Sequence, residues 1–274
     1  MPVDTRAHVI VGGYPPTSSA AHDMDYARLR LLGLMADHPD VRTTVAHDYR
    51  DLASWLDGAT LLVTYVAGPC PDAAAHGALQ EWLAGGGRWL ALHGTSGGKA
   101  TKVEVPRRGR MMVKMAHHAT LGCFFLNHPP LSRFSVHVAG DPHPLTKGLQ
   151  ASFEVADELY LIELQDPAGS EVLLTTELEA DPSPPGFGFL YERDTSALAD
   201  GRTRALGYVR TLGSGAVAYL ALGHCHSPAT NSQPFVDASV MTDGQTPLLF
   251  RGSWETPEFT TLLTNGIAWG LGRA

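Results

Sequence analysis

The feature that most constrains the fold is an alternation, up to Gly98, of short apolar runs with segments of helical periodicity. The runs are Ala7 to Gly13, Val41 to Ala46, Thr60 to Val66 and Arg88 to Leu92. Between them, Asp23 caps a segment from Met24 to Ala36 in which Leu29, Leu32 and Met35 recur at helical spacing. Asp48 and Asp51 then enter a short helix through Trp55 and Leu56, and Pro71-Asp72 opens a third helix through Leu79 and Leu83. Gly85-Gly86-Gly87 stops that helix and returns the chain to the strand Arg88 to Leu92. Strands that alternate with helices build a doubly wound, mostly parallel α/β sheet.

The stretch Arg88 to Leu92 is almost continuously apolar, as expected of a strand buried on both faces, and it ends on His93 and the small residues Gly94 to Gly98. In open α/β sheets the ligand crevice lies beyond the carboxyl ends of such strands, which places His93 in it. The loop after the first strand is long for its type and ends on His22. Later, Ala205 to Leu212 and Ala216 to Gly223 read as paired strands around Gly213-Ser214-Gly215, the second delivering His224. Arg133 to Val138 and Glu171 to Thr176 read as further strands, and Glu258 to Leu271 as a closing amphipathic helix. The basic segment Lys99 to Met115 has no clean period and reads as an insertion, either a solvated loop or a lid over the crevice.

A formal charge of −8 excludes the basic footprint of a nucleic-acid binder and gives no attraction to anionic lipid. The amino terminus lacks a signal-peptide pattern and no apolar run approaches membrane-spanning length, so a cytoplasmic protein is expected. Cys70, Cys123 and Cys225 are odd in number and widely spaced, which argues against a disulfide framework or a cysteine-based zinc site. The expected partner is a small polar molecule. His8, His38, His47, His76 and His137 are expected to be structural hydrogen-bonders.

The order of short motifs resembles the ThuA-like, trehalose-utilisation family within the class I glutamine amidotransferase-like fold. It is carried by His22, Leu92-His93-Gly94, Gly122 to Pro129, Asp141 to Leu149, Asp157-Glu158-Leu159-Tyr160, Gly223-His224 and Gly266-Ile267-Ala268-Trp269. The resemblance implies a flavodoxin-like sheet and a role in carbohydrate metabolism with a sugar as ligand; the length of the chain fits a single domain over 1–274 with loop insertions, and a homo-oligomer is expected. Amidotransferases keep a nucleophilic cysteine at the turn after the central strand. Here that turn carries His93, so glutamine hydrolysis is not expected.

His93, Glu158 and His224 form the candidate catalytic set, with His22, His128, Asp157 and Tyr160 as substrate-binding companions. Histidines plus a carboxylate can hold a divalent metal, zinc first, with one position open. The same groups can move protons on a keto-sugar without metal, with histidine as base and a Glu158 of raised pKa as acid. Two other readings remain. One is a non-catalytic sugar-binding or regulatory module. The other is a serine hydrolase built on Ser96, because Gly94 to Gly98 fits G-x-S-x-G after a strand, with Asp157 and His224 downstream in order. Asp157 and Glu158 are adjacent, so on a strand only one faces the site, and Glu158 is the expected one.

Overall fold

The computed structural model describes residues 5–14, 22–104 and 108–274. The first half follows the alternation: β1 (Thr5–Gly13), α1 (Met24–Ala36), β2 (Val41–Ala46), α2 (Leu52–Leu56), β3 (Ala59–Ala67), α3 (Ala73–Ala84) and β4 (Arg88–Leu92). The Asp23 carboxylate accepts from the Tyr26 amide and Asp72 from that of Ala75, which satisfies orphan donors at the starts of α1 and α3. Helix α1 buries Ala27, Leu31 and Met35, spaced four apart, whereas Leu29 is 71% exposed. The expected stripe through Leu29 is therefore corrected: two residues from Ala27 and Leu31, it falls on the far side of the helix.

Beyond β4 the chain makes β5 (Lys99–Val103), β6 (Gly109–Val113), α4 (Ala116–Leu121), β7 (Cys123–Asn127), β8 (Ser132–Val138), β9 (Ser152–Asp157), β10 (Leu161–Leu164), β11 (Ser170–Glu177), β12 (Thr203–Leu212), β13 (Gly215–Leu220) and α5 (Pro257–Gly270). The basic segment is a β5–β6 hairpin, and β7 pairs with β10 in a second small sheet.

The main sheet has nine strands in the order β2-β1-β3-β4-β13-β12-β11-β8-β9. Pairings from β2 to β13 are parallel and those from β13 to β9 antiparallel, so the far half is a run of returning strands rather than a continuation of the parallel pattern. Antiparallel neighbours need no crossover helix, and a tight turn with Gly213 at φ 61° joins β12 to β13. The strands β4 and β13 run parallel at the centre with Leu92 opposite Leu220, so both open on the same sheet edge. Trp89 is fully buried beneath that edge and donates its indole N–H to Thr64 Oγ1 at 2.8 Å. Among the described residues no helix is long and apolar enough to cross a membrane. All three cysteines are free, Cys123 and Cys225 buried and Cys70 half-buried.

Two structural histidines give the fold a pH dependence. His8 is buried against Trp55 with Nδ1 2.7 Å from Thr44 Oγ1, and burial, helped by Arg6, lowers its pKa from 6.5 to about 4. His117 in α4 is lowered from 6.5 to about 3 by burial and then by His118. Both stay neutral in the fold but take a proton in the unfolded chain below pH 6.5. Their contribution is complete above that pH and is lost as pH falls toward the folded values, by up to about 1.4 kcal/mol per pH unit for each histidine. Urea unfolding at pH 7.5 and 5 is expected to show this loss, and His8→Gln should make it shallower. Equal slopes for the two proteins would remove His8 from the account.

Candidate active site

Each site residue lies on a strand end or a loop at one edge of the sheet. His93 follows β4 directly and has φ 43°, a left-handed backbone rare for a histidine. Its ring lies against Tyr160, centroids 4.0 Å apart, and its Nδ1 is 2.7 Å from Ala221 O. Gly94 follows because a Cβ there would sit 2.8 Å from Val66 O. His224 follows β13, Glu158 follows β9, His128 follows β7, and His22 stands just before α1.

Four of these groups converge. Single ligand atoms of His22, His93, Glu158 and His224 all lie within 4.8 Å of one another. Glu158 Oε2 is 3.2 Å from His224 Nδ1, 3.4 Å from His93 Nε2 and 4.0 Å from His22 Nε2. The other oxygen, Oε1, is 3.6 Å from His128 Nε2 and accepts from Gln233 Nε2 at 2.5 Å. The carboxylate is thus divided, one oxygen among three imidazoles and one between His128 and Gln233.

Carbonyl oxygens only accept, so they fix the tautomers of the neutral rings. Ala221 O takes the Nδ1–H of His93 and leaves its Nε2 an acceptor, 3.2 Å from its partner His22 Nε2 and 3.4 Å from Glu158 Oε2. Pro247 O takes the Nε2–H of His226, so His226 Nδ1 accepts from His224 Nε2 at 3.0 Å. His224 Nδ1 is then bare, and it is buried without a hydrogen-bond partner. Pro129 O likewise takes the Nδ1–H of His128. Acceptor nitrogens of His224 and His128 therefore face a carboxylate, acceptors against acceptors, while His93 Nε2 is partnered by His22, and the His224 and His128 contacts are satisfied when positive charge enters as protons or a cation. Burial alone would raise the Glu158 carboxyl, but once positive charge sits on His128 and His224 and the rings of His224 and His93 donate, they outweigh it and hold it well below the usual carboxylate range. The charged imidazoles thus work against the raised pKa expected of Glu158 from burial.

Asp157 points the other way and does not line the cavity. It is fully buried, with Oδ1 accepting from the Glu158 and His224 amides and Oδ2 from the Gly223 amide and Ser253 Oγ. Its expected contact with substrate is corrected to a scaffolding role. Ser96 is also fully buried in the turn after β4, donating to His93 O and accepting from Tyr219. No helix follows that turn, and His224 reaches Glu158, so the serine-hydrolase arrangement is absent among the described residues. Tyr160 lines the cavity, and burial, reinforced by Glu158, keeps it a phenol.

His22, Glu158 and His224 of the cluster, with His128, form the floor of a cavity of about 390 Å³, within the range of small-molecule sites, and His93 is buried behind them. Backbone of Gly94, Gly97 and Gly98 makes one wall, and Phe125, Phe187 and Phe189 another. Gly109, Arg110 and Met112 of β6 also border it, so the basic insertion contributes to the rim. Gln233 and His226 went unrecognised in the sequence. His226 sat in plain view beside His224, but its role needs the Pro247 carbonyl to be seen. Gln233 lies in a polar loop without periodicity.

A family model described as trehalose utilisation, ThuA, matches residues 17–240. The chain belongs to the ThuA family. Two solved structures share its fold: a ThuA-like protein from Bacteroides uniformis, with a TM-score of 0.59 at 18% identity over 97% of this chain and 91% of that one, and one from Parabacteroides merdae, with a TM-score of 0.59 at 14% identity over 97% and 90%. No curated protein matches the sequence. ThuA membership gives the chain a carbohydrate-related role in general terms.

His226 should act through His224. Replacing it with phenylalanine frees the His224 tautomer, and for a metal held at His224 the loss of such an outer partner would weaken binding about 10–100-fold. His226→Asn, which can still accept from His224 Nε2, should recover part of it. Zinc titration of both variants checks this, and unchanged affinity in His226→Phe would rule it out.

Proposed function

We propose that this ThuA-family chain is an enzyme that moves protons on a sugar or keto-sugar with the help of a divalent metal, zinc by donor set, held by His22, His93, Glu158 and His224. The observation that carries the reading is the orphaned His224 Nδ1 facing Glu158 Oε2, within 4.8 Å of ligand atoms of His22 and His93. Histidines with one carboxylate suit zinc at an open site. When bound, the metal supplies Lewis-acid polarisation of a sugar carbonyl or hydroxyl.

The chain's own residues divide the remaining work. Glu158 stays ionised and contributes charge. His128 contacts the opposite oxygen, and its side chain is 15% exposed to the cavity, so Nε2 is the atom placed to take a proton from substrate and return it. Gln233 holds Oε1 so that Oε2 keeps facing the three imidazoles. Tyr160 stacks on the His93 ring with centroids 4.0 Å apart, and Tyr65 lies roughly parallel to it at 6.0 Å.

Elemental analysis of purified protein tests the reading. About one zinc ion per chain is expected in the natural protein and none in His93→Ala. Absence of metal from both after growth and dialysis in zinc would overturn it.

A further inference from the structure

The aromatic wall of the cavity is built more firmly than a cavity needs for shape alone. The loop from Asp181 to Phe189 carries Phe187 and Phe189 into the cavity, and the buried Asn127 at the end of β7 clamps it at both ends. Asn127 Nδ2 donates to Asp181 Oδ2 at 2.7 Å and to Ser183 Oγ at 3.3 Å, while Asn127 Oδ1 accepts from the Phe189 amide at 2.8 Å. Tyr191 donates to the same Asp181 oxygen at 2.9 Å. Gly188 has φ 67°, and a Cβ there would sit 2.1 Å from Asn127 Oδ1, so the loop reaches this close approach only with glycine.

What the clamp presents is apolar. Phe187 is half-buried, belongs to none of the hydrophobic core clusters, and meets His128 and Phe235 through ring contacts at 5.7 and 5.2 Å. Phe125 lies between Tyr160 and Phe189, with centroids 4.4 and 5.7 Å away, and so continues the aromatic surface outward from His93. Met112 of the β5–β6 hairpin completes this compartment. The floor offers imidazole and carboxylate, and the outer part offers ring faces, that of Phe189 with the Arg110 guanidinium 4.9 Å from its centroid. A second sugar ring calls for hydroxyl partners around its rim, whereas a flat aromatic ring needs stacking surfaces alone.

We propose that the outer compartment, formed by Phe125, Phe187 and Phe189, is a subsite for a planar aromatic aglycone, so that the ligand is an aryl glycoside with its sugar on the histidine floor. This deepens the reading of the floor as a sugar site and rests on it. Stacking on a preformed wall adds affinity without disturbing the floor, since the loop is already held by Asn127.

Calorimetric titration of the zinc-supplemented protein with methyl glucoside, trehalose, 4-nitrophenyl glucoside and 4-nitrophenol tests it, both anomers of each glucoside being used. The 4-nitrophenyl glucoside is expected to bind about tenfold more tightly than methyl glucoside, the size of one good aromatic contact. In Phe187→Ala that ratio should fall to near unity, and Phe187→Trp should restore it. If methyl glucoside binds equally well, or trehalose shows the gain instead, the aromatic subsite is overturned while the sugar floor stands. If 4-nitrophenol binds in a Phe187-dependent way and neither glucoside improves on it, the subsite stands and the sugar reading falls. If none of the four binds, both fall.

Discussion

Glu158→Gln is expected to lose zinc binding by more than about 100-fold and to abolish proton transfer on sugar, while the chain still folds. Loss of an outer partner costs 10–100-fold, and Glu158 would be a direct ligand. The charge is the issue. An amide fills the same space but brings no anion to a divalent cation, and its NH2 group would meet either the imidazoles at Oε2 or the Gln233 amide at Oε1. The fold survives because Glu158 serves the cavity rather than the core: its oxygens meet histidines and Gln233, not backbone amides. Zinc titration and thermal unfolding of the same preparation check both halves. Full zinc affinity in this variant would sink the ligand role.

Asp157→Asn should do the reverse, damaging the fold first. All the accepting directions of the Asp157 carboxylate are taken by the amides of Glu158, His224 and Gly223 and by Ser253. Replacing either oxygen by NH2 sets donor against donor and strands two buried hydrogen bonds, each about 1–3 kcal/mol when left unmade. The expected loss is about 3–5 kcal/mol by urea unfolding, with a melting temperature lower by on the order of 10 °C. Binding should weaken too, because the Gly223 and His224 amides that Asp157 holds set the direction of His224. A stability within about 1 kcal/mol of the natural protein would show that the carboxylate is not the keystone of this turn.

The contrast between these neighbours shows how far residues can be read before coordinates. The strands β1 to β4 were legible because parallel strands are apolar runs, and the helices between them because Asp23 and Asp72 mark their starts. His93 and His224 were legible because each closes such a run. That Asp157 and Glu158 diverge follows from their adjacency, but the work of Asp157 did not, since its partners are mostly backbone amides that no residue type announces. The β5–β6 hairpin escaped because Lys99, Ala100, Thr101 and Lys102 are exposed and carry no burial pattern. The raised Glu158 pKa expected from burial is reversed by the imidazoles when they carry charge, and their approach is set by segments far apart in the chain.

The groups of the floor come from segments after β1, β4, β7, β9 and β13, spread along most of the chain. Such a constellation has no local precursor: any opening that separates the two halves of the sheet scatters it. Occupancy and global stability are therefore one thermodynamic quantity viewed from two ends, and a metal at 100 times its dissociation constant would add about 2.7 kcal/mol to the fold. With a metal on the floor, a remote substitution that merely loosens the sheet would lower metal content with every ligand intact. Comparisons of turnover between variants are meaningful at equal loading, and a melting curve with and without chelator reports the loading directly.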